Sequence, residues 1–497
     1  MLRGLSALSK STTLNTARLM SSAAPKMSLD TINPHVKDAQ YAVRGELVIK
    51  ADGYRQKLAA NPDSLPFKKI VACNIGNPHE LGQKPLTFLR QVISLCHYPE
   101  LMSNTAAAAA FPTDAIARAK SYLSKISGTG AYTHSKGLSF IRDEVAAFIA
   151  DRDGHKTDPE NIFITDGASS GVKMLLQTLI SSPTDGVMCP IPQYPLYSAS
   201  MTLLQGQLVG YYLNEENGWS MDLPELERSY DAAVAAGTTV RAIVIINPGN
   251  PTGQCLSEEN IKAVVDFCAA RNLVLLADEV YQTNVYSTVP FTSFRKVVKD
   301  TKSTVPLVSF HSVSKGFIGE CGQRGGYFHL TNFPEDILAQ LYKLSSISLC
   351  SNVTGQLTVG LMVNPPKPSD PSGPVYEAEK SAILDSLKRR AATVAKALNE
   401  LEGVSCQPVQ GALYAFPQIT LPEKAIAAAK AAGKPADTFY CLAMLDATGI
   451  CVVPGTGFVQ KKNTFHFRTT ILPSEADIDN VNAALAKFHK EFLAKYA

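Results

Sequence analysis

The stretch "RAIVIINPGNPTGQCLSEENIKAVVDFCAARNLVLLAD", residues 241–278, begins and ends with a short run of mainly aliphatic residues and has a helical pattern between them. The two runs, 241–247 and 273–278, are nearly continuous in hydrophobicity, which is typical of strands covered on both faces. Ser257, which precedes acidic and amide residues, predicts the start of the intervening helix. This alternation of strand, helix and strand predicts a mainly parallel α/β sheet.

The same alternation continues on both sides of this stretch. Buried strands are also predicted at 161–165, 186–190, 208–213 and 306–312, and helical patterns such as 169–180 separate several of them. Because both faces of such a sheet must be covered, we expect a large domain with three layers, α/β/α, around a mainly parallel sheet.

The flanking regions have a different character. Residues 364–374, "NPPKPSDPSGP", are rich in proline and predict a loop. A long helical pattern at 375–403 and strand-like runs at 411–419 and 449–458 follow, and they predict a smaller α+β domain. The expected division of the chain is a leader at 1–25, an N-terminal arm with part of the small domain at 26–112, the large domain at 113–364 and a C-terminal small domain at 365–497.

The N-terminus has the composition of a targeting segment. The first 29 residues contain no Asp or Glu, carry scattered Lys and Arg, and are rich in Ser and Thr. This is typical of a mitochondrial transit peptide, and "ARLMSS" (17–22) resembles a matrix-processing site. We therefore expect residues 1–25 to direct the protein to the mitochondrial matrix. A disordered cytosolic N-terminus is the alternative, and Met27 offers a second start that would give a cytosolic form.

The composition of the chain also limits the classes of partner that it is expected to bind. A chain of 497 residues with 45% hydrophobic residues can bury a large core, and its formal net charge of +3 does not favour nucleic acid or a membrane surface. No apolar run approaches the roughly 20 residues of a membrane-spanning helix. The ten cysteines include no C-x-x-C pair, and the nine histidines lack metal-ligand spacing, so we expect free thiols and no metal site.

Polar motifs follow four of the predicted strands. In an open parallel sheet, ligands bind beyond the carboxyl ends of the strands. Small residues at 166–171 would let backbone N–H groups approach an anion at a helix N-terminus, although a structural turn is the alternative. Together the motifs can hold a phosphorylated aldehyde with a protonated ring nitrogen and attach it to a lysine. They are "DGASSG" (166–171), "NPGNPTG" (247–253), "DEVY" (278–281) and "SVSK" (312–315), with Arg324 beyond.

These motifs, in this order, resemble those of the fold-type I, class I and II aminotransferases, which use pyridoxal 5′-phosphate. The resemblance covers nearly the whole chain after the leader, and it implies the type I PLP-transferase fold. Within the family the chain is similar to the alanine aminotransferases, which implies transfer of an amino group from L-alanine to 2-oxoglutarate by ping-pong chemistry. The segments that carry this finer similarity are "NIGNPH" (74–79), "SKGFIGECGQRGG" (314–326) and "CSNVTGQ" (350–356).

The resemblance implies catalytic roles for three side chains. Lys315 would form a Schiff base with the cofactor aldehyde and then move the proton between the substrate Cα and the cofactor C4′. Asp278 would pair with the pyridinium nitrogen and keep it protonated. Tyr281 and Asn250 would hydrogen-bond the phenolate oxygen of the ring. Glu279, which points the other way on an extended segment, is assigned no role.

The resemblance also implies a phosphate site, which comprises Ala168, Ser169, Ser312, Ser314 and Arg324. The guanidinium gives a permanent charge and bidentate geometry for a phosphate. Arg324 lies one residue farther from the lysine than in the aspartate aminotransferase pattern. Cys321, although it is close to the lysine in sequence, has no base partner in the sequence and is expected only to pack.

Four further residues are expected to complete the site. Tyr194 would stack on the cofactor ring, with core packing as the alternative. Tyr132 would reach the phosphate across a homodimer interface, which implies shared active sites, unless it is a plain loop residue. Arg468 would clamp the substrate α-carboxylate, with a structural salt bridge as the alternative. Gly76 would approach the same carboxylate through its backbone.

Other functions stay open. Within the class, a glutamate:glyoxylate or aromatic/kynurenine-type aminotransferase, or a related lyase, would use the same parts. A non-catalytic regulator that senses pyridoxal phosphate belongs to another class, but such proteins usually carry an N-terminal DNA-binding module, and the leader here is short. A Rossmann dinucleotide enzyme is disfavoured because no G-x-G-x-x-G motif follows any predicted strand.

Overall fold

The computed structural model describes residues 27–288 and 290–497, so the predicted leader, residues 1–25, lies outside the described residues. The N-terminal segment contributes several helices and one short strand. Its elements are helices α1 (Pro34–Asp38), α2 (Glu46–Ala60), α3 (Thr87–His97) and α4 (Thr105–Ala108), with strand β1 (Val71–Ala72).

A seven-stranded sheet forms the centre of the large domain, in the order β2-β8-β7-β6-β5-β3-β4. The edge strand β2 and the last strand β8 pair antiparallel, as do β7 and β8, and every other neighbouring pair is parallel. The prediction of a mainly parallel sheet is therefore confirmed. The strands are β2 (Ile162–Thr165), β3 (Asp185–Ile191), β4 (Gln207–Tyr212), β5 (Thr239–Ile246), β6 (Val274–Asp278), β7 (Leu307–Ser312) and β8 (Gly326–Thr331).

Helices cover both faces of this sheet, which confirms the three-layer prediction. Along β5, Ala242, Val244 and Ile246 pack with α7, α8 and α12, whereas Ile243 and Ile245 pack with α9, α10 and α11 on the other face. The helices of the large domain are α5 (Thr113–Leu123), α6 (Ser139–Asp153), α7 (Ala168–Leu179), α8 (Pro195–Leu203), α9 (Leu223–Ala235), α10 (Glu258–Arg271), α11 (Phe294–Asp300), α12 (Glu335–Ile347) and α13 (Val353–Val363).

The predicted start of α10 is correct. The Ser257 side chain accepts a hydrogen bond from the backbone N–H of Asn260 at 3.2 Å, as an N-cap residue does. At the other end Asn272 adopts a left-handed conformation with φ 54° and stops the helix. The chain then enters β6 directly, so this stretch places the end of β5 and the end of β6 side by side.

The C-terminal region is the expected mixture of helices and short strands. Gly373 and Pro374, in the predicted loop, instead form the first turn of α14, where proline is tolerated. The strands β13 and β14 pair antiparallel, and β14 also pairs with β10. The elements are α14 (Gly373–Asn399), β9 (Val404–Ser405), β10 (Tyr414–Ala415), β11 (Gln418–Ile419), α15 (Glu423–Ala431), α16 (Ala436–Thr448), β12 (Ile450–Cys451), β13 (Val453–Pro454), β14 (Phe467–Thr470) and α17 (Glu475–Tyr496).

The N-terminal segment and the C-terminal region meet in one small parallel pair, in which Val71 lies opposite Ile450 and Ala72 opposite Cys451. This pair leads the chain after β1 towards the carboxyl ends of the central strands. The division of the chain at 112 and 364 stays a prediction. No helix among the described residues has both the length and the apolar run needed to cross a bilayer.

Candidate active site

A cleft of about 770 Å³ opens at the carboxyl ends of β5, β6 and β7, between the large domain and the C-terminal region. This is the edge at which an open parallel sheet binds its ligands. Twelve of the thirteen predicted site residues line it, although they come from segments spread over most of the chain. These are Gly76, Ala168, Ser169, Tyr194, Asn250, Asp278, Tyr281, Ser312, Ser314, Lys315, Arg324 and Arg468.

Tyr132 is the predicted residue that does not line the cleft. Its side chain is 79% exposed on the single chain, in the loop between α5 and α6. A large aromatic side chain exposed to this degree is available to a partner surface. Its predicted contact across a dimer interface stays a prediction.

Lys315 reaches into the cleft from the turn that follows β7. Its Nζ donates a hydrogen bond to the backbone carbonyl of Gly76 at 2.8 Å and lies 5.9 Å from the centre of the Tyr281 ring. Gly316 continues the turn with φ 69°, and its N–H donates to Asn284 at 2.8 Å. Among the described residues Lys315 forms no ion pair, so its amine faces the cleft without a neutralising carboxylate.

Asp278 ends β6 with its carboxylate at the floor of the cleft. Its Oδ2 accepts a hydrogen bond from the hydroxyl of Tyr197 at 2.9 Å, whereas its buried Oδ1 has no partner in the described part of the chain. Burial raises the pKa of Asp278 from 3.8 to about 6, against the opposing effects of the Tyr197 hydrogen bond, the backbone N–H of Val280 and the charge of Lys315. A buried oxygen that lacks a donor is costly, and a protonated ring nitrogen would supply one.

Two tyrosines lie beside the lysine. The Tyr281 hydroxyl donates to the hydroxyl of Tyr414 at 3.4 Å, and the rings meet edge to face at 6.1 Å. Burial favours a neutral Tyr414, but the positive charges of Lys315 and Arg468 outweigh it and lower the pKa of Tyr414. A phenol in this setting can donate a strong hydrogen bond to a negatively charged oxygen in the cleft.

Arg468, on β14, is almost completely buried, with 1% of its surface exposed. Its Nη1 donates to Oδ1 of Asn250 at 3.0 Å, and its Nη2 donates to the carbonyl of Asn74. The guanidinium also stacks 4.0 Å from the centre of the Tyr414 ring. It forms no ion pair with any carboxylate among the described residues, so the structural salt bridge considered as an alternative is not found there. A buried cation of this kind favours an anionic ligand.

The start of α7 and Arg324 form the opposite end of the cleft. Gly167 has φ 77°, and the backbone N–H groups of Ala168 and Ser169 at the helix N-terminus donate to no acceptor among the described residues. The Nη2 of Arg324 lies 3.0 Å from the carbonyl of Asp166 and 3.5 Å from Oγ of Ser169. Free N–H groups, a helix dipole and a guanidinium together fit a phosphate group.

The turn before Arg324 accounts for its altered spacing. Residues Cys321–Gln323 form one turn of 3₁₀ helix, and Arg324 itself adopts a left-handed conformation with φ 51°. This conformation directs the side chain towards the start of α7. Its Nη1 also donates a hydrogen bond to the carbonyl of Cys321, within the 3₁₀ turn, at 3.1 Å. The Cys321 thiol donates to the backbone carbonyl of Ser314 at 3.0 Å, which agrees with the packing role expected for it.

Several residues at the site were not predicted from the sequence. Tyr197, which holds Asp278, lies one helical turn after Tyr194, and the shared spacing in "PQYPLY" was the available signal. Tyr414 gave no signal, because it comes to Tyr281 from 133 residues away. Tyr41, in the N-terminal segment, shares a hydrogen bond of 2.8 Å with the hydroxyl of Tyr194. Glu279 lies outside the cleft, as expected, and accepts from the N–H of Phe294 at 2.8 Å.

Comparison with known proteins places this geometry among aminotransferases. The chain is 54% identical over 480 residues to a probable mitochondrial alanine aminotransferase of Dictyostelium discoideum, which covers 95% of this chain and 90% of the relative. It is 52% identical over 477 residues to glutamate–glyoxylate aminotransferase 2 of Arabidopsis thaliana, covering 95% of this chain and 97% of the relative.

The fold is that of a solved alanine aminotransferase from Pyrococcus furiosus, with a TM-score of 0.73, 22% sequence identity and coverage of 93% of this chain and 100% of the other. The family model for aminotransferase class I and II matches residues 100–485, which include all the predicted site residues except Gly76. With this match over most of its length, the chain belongs to the class I and II aminotransferases.

Proposed function

We propose that this enzyme transfers the amino group of L-alanine to 2-oxoglutarate and so produces pyruvate and L-glutamate. Pyridoxal 5′-phosphate is the cofactor of its family. The alanine aminotransferases at about half identity over nearly the whole chain support this substrate pair. The observation that carries the proposal is the unpartnered Oδ1 of Asp278, in one cleft with the Lys315 amine and the buried Arg468.

Each of the main site residues has a separate role in the proposed reaction. When bound, the cofactor supplies an electron-withdrawing ring that stabilises the negative charge left when the Cα–H bond of the amino acid breaks. Asp278 holds the proton on the ring nitrogen through its free Oδ1. Lys315 would take the proton from the substrate Cα with its Nζ and deliver it to the cofactor C4′, and it would reverse this transfer in the second half-reaction. Arg468 binds the α-carboxylate and fixes the orientation of the substrate.

The remaining residues position these groups. The N-terminus of α7, Ser312 and Arg324 would hold the phosphate, which fixes the cofactor at one end. Tyr281 and the amide of Asn250 would donate hydrogen bonds to the phenolate oxygen at the other end, and Tyr194 would pack against the ring face. The hydroxyl of Tyr197 anchors Asp278 at 2.9 Å, so the carboxylate keeps its orientation.

A second candidate is transfer from L-glutamate to glyoxylate. The observation that favours it is the 52% identity to an Arabidopsis thaliana protein named for that reaction, close to the identity to the alanine aminotransferases. The two reactions share L-glutamate and differ in the short oxoacid. Pyruvate and glyoxylate, offered separately as amino-group acceptors, distinguish them.

A half-reaction screen tests the proposal. The cofactor-loaded enzyme is mixed with L-alanine, L-glutamate, glycine, L-aspartate or L-kynurenine, and the visible absorbance of the cofactor is followed as it converts to the amine form. We expect rapid conversion with L-alanine and L-glutamate, none with Lys315→Ala, and normal conversion with Lys388→Ala, which removes an exposed lysine of α14. Conversion by neither L-alanine nor L-glutamate would reject the proposal, and a cofactor-binding protein inert to every amino acid would be a sensor.

We also propose that the enzyme is a homodimer with shared sites and acts in the mitochondrial matrix. The exposed Tyr132 supports the first part. The mitochondrial names of the Dictyostelium discoideum and Arabidopsis thaliana relatives, together with the acid-free leader, support the second. Import into isolated mitochondria, followed by N-terminal sequencing of the matrix form, tests the location. An uncleaved protein that stays outside would instead support the cytosolic form that starts at Met27.

A further inference from the structure

The proposed reaction requires one cleft to recognise two different amino-acid side chains, and the roles of Lys315, Asp278 and Arg468 do not explain how. One cleft must accept the methyl side chain of alanine and, in the other half-reaction, the side-chain carboxylate of glutamate or 2-oxoglutarate. A buried cation would bind the glutamate side-chain carboxylate well, but it would have no anionic partner when alanine is bound. The cation must therefore be able to bind the glutamate carboxylate and must remain solvated when alanine is bound. Within the described part of the chain, five lysine or arginine residues line the cleft: Arg44, Arg90, Lys315, Arg324 and Arg468.

Three of these five are already committed. Lys315 is the reacting amine, and Arg468 is held deep in the cleft by Asn250 and the carbonyl of Asn74, where the α-carboxylate would bind. Arg324 is fixed at the other end by two backbone carbonyls, beside the start of α7. Of the cations that the chain itself contributes to the cleft, Arg44 and Arg90 remain as candidates for the side-chain carboxylate of glutamate.

Arg90, on α3, is engaged with a buried acid. Its Nε and Nη2 donate to the two carboxylate oxygens of Glu320 at 2.8 and 2.9 Å, and Glu320 is only 3% exposed. If Arg90 turned to a substrate, this buried carboxylate would lose its partner, which is costly. The neighbouring His79 cannot replace it, because burial and the charge of Arg90 lower its pKa, against the effect of Glu320, and favour the neutral ring.

Arg44 is in the opposite situation. Its side chain is exposed and makes no hydrogen bond or ion pair with the described residues, although it lines the cleft. Glu80, an acidic residue at the same mouth, accepts instead from Asn77 at 2.9 Å and lies 3.9 Å from Arg55. The Arg44 guanidinium is therefore a free positive charge at the entrance.

The backbone that carries Arg44 is fixed in place. Residues Ala42–Arg44 form a single 3₁₀ turn, in which the side chain of Val43 is buried. Just before it, the Tyr41 hydroxyl is hydrogen-bonded to Tyr194 at 2.8 Å, inside the same cleft. Because the backbone is tethered and the side chain is exposed, a change of side-chain rotamer can move the guanidinium between solvent and the cleft without refolding of the segment.

We propose that Arg44 binds the side-chain carboxylate of glutamate and 2-oxoglutarate and is the residue that gives the enzyme its second substrate. This rests on the proposed transamination. With alanine bound, the guanidinium stays in water and no buried charge is left unpaired. With a dicarboxylic substrate, it forms a charge-assisted, bidentate hydrogen bond at the mouth of the cleft. The same enzyme can then bind both substrates without a conformational switch of a buried ion pair.

The test compares the two half-reactions of Arg44→Ala. We expect the apparent Kd for L-glutamate to rise about tenfold, as for a partly screened ion pair, while that for L-alanine stays within about twofold. Arg44→Lys should recover part of the glutamate affinity. Arg228→Ala, which removes an exposed arginine of α9 outside the cleft, should change neither substrate. Titration of the loaded enzyme with glutarate and with butyrate gives a second readout, and only glutarate binding should weaken.

Equal loss of both substrates in Arg44→Ala, or no loss of glutamate affinity, would overturn the assignment. A glutamate-selective loss in Arg90→Gln, with Arg44→Ala unchanged, would overturn it in favour of the buried pair. These outcomes differ from a failure of the proposed function. If the unmodified enzyme converts with neither L-alanine nor L-glutamate, the reaction itself is wrong, and the variants are not informative about selectivity.

Discussion

The free Oδ1 of Asp278 links the described geometry to a protonated ring nitrogen. It is buried and has no hydrogen-bond partner among the residues that the structure describes, while the other oxygen of the same carboxylate is held by Tyr197. Burial raises the pKa of Asp278 to about 6, because the Tyr197 hydrogen bond and the charge of Lys315 offset only part of the cost of burying the charged form. A pyridinium cation would compensate it, so binding of the cofactor and loss of this proton should be linked.

We therefore expect cofactor affinity to rise between pH 5 and pH 7, as the fraction of Asp278 that is ionised in the cofactor-free protein increases. Asp278→Asn should remove this rise and should slow conversion by L-alanine about 100-fold, the effect of about 3 kcal/mol for a broken buried pair. Equilibrium titration of the cofactor-free protein at several pH values measures the first effect. An identical pH dependence in the variant would contradict it, since the cofactor's own ionisations are common to both proteins.

Gly76 shows how closely the N-terminal segment approaches the amine of Lys315. A Cβ atom at this position would overlap the Tyr414 hydroxyl and lie 3.2 Å from Lys315 Nζ. We expect Gly76→Ala to lower the turnover rate about tenfold and stability by about 1 to 3 kcal/mol, as overpacking does. Tyr414→Phe in the same chain should recover part of the stability, because it removes the overlapped oxygen. Thermal unfolding of both single variants and the double variant measures this coupling, and strict additivity would contradict the contact.

Residue by residue, the sequence predicts the groups that belong to short motifs at strand ends, such as Lys315 and Asp278. It does not predict partners that approach from distant segments. Tyr414 and Asn74 occupy places in the site because β10 and the segment after β1 fold back over the cleft. No spacing of residues in the local sequence predicts these long-range contacts.

At the level of elements, the phosphate end depends on how α7 begins. Gly167 takes φ 77°, and a Cβ atom there would overlap the guanidinium of Arg324. The glycine therefore serves both the turn and the close approach of the arginine.

We expect Gly167→Ala to weaken cofactor binding about tenfold, since it adds backbone strain and displaces Arg324 from the helix start. Binding of inorganic phosphate to the cofactor-free protein should weaken in parallel. Gly218→Ala is the matched control, because Gly218 also has a positive φ of 63° but lies outside the cleft with open space around it. Unchanged cofactor affinity in Gly167→Ala would remove the cradle role of this turn.

The sequence predicts six of the seven central strands, because each is a nearly continuous apolar run. The strand it misses, β8, follows directly on the glycines beside Arg324 and is rich in aromatic and polar residues. It pairs antiparallel with β2 and β7, so its place does not follow from the strand–helix alternation that identifies the others.

At the scale of the whole molecule, Tyr132 is the predicted site residue that a single chain leaves outside the cleft. If it serves the phosphate of a second subunit, mixed dimers can reveal it. We expect Tyr132→Phe to weaken cofactor binding about tenfold, as loss of a hydrogen bond to a charged group does.

In heterodimers of a Lys315→Ala chain with a Tyr132→Phe chain, one site combines an intact lysine with an intact tyrosine from the other subunit. We expect that site to bind the cofactor and turn over like the unmodified enzyme, at half the total capacity. Heterodimers carrying two different tags can be purified and titrated. Weak binding at the site with the intact lysine would instead place Tyr132 within its own chain's site.

The pairing of Val71 with Ile450, together with the hydrogen bond from Lys315 to Gly76, also sets an order of events during biosynthesis. The segment that covers the lysine is made early, but the strand that fastens it, and Arg468 after it, leave the ribosome near the end of translation. If Lys315 and Arg468 act as proposed, a nascent or partly translocated chain cannot yet bind and turn over amino acids. Catalysis begins only when the polypeptide is nearly complete, wherever that final assembly takes place.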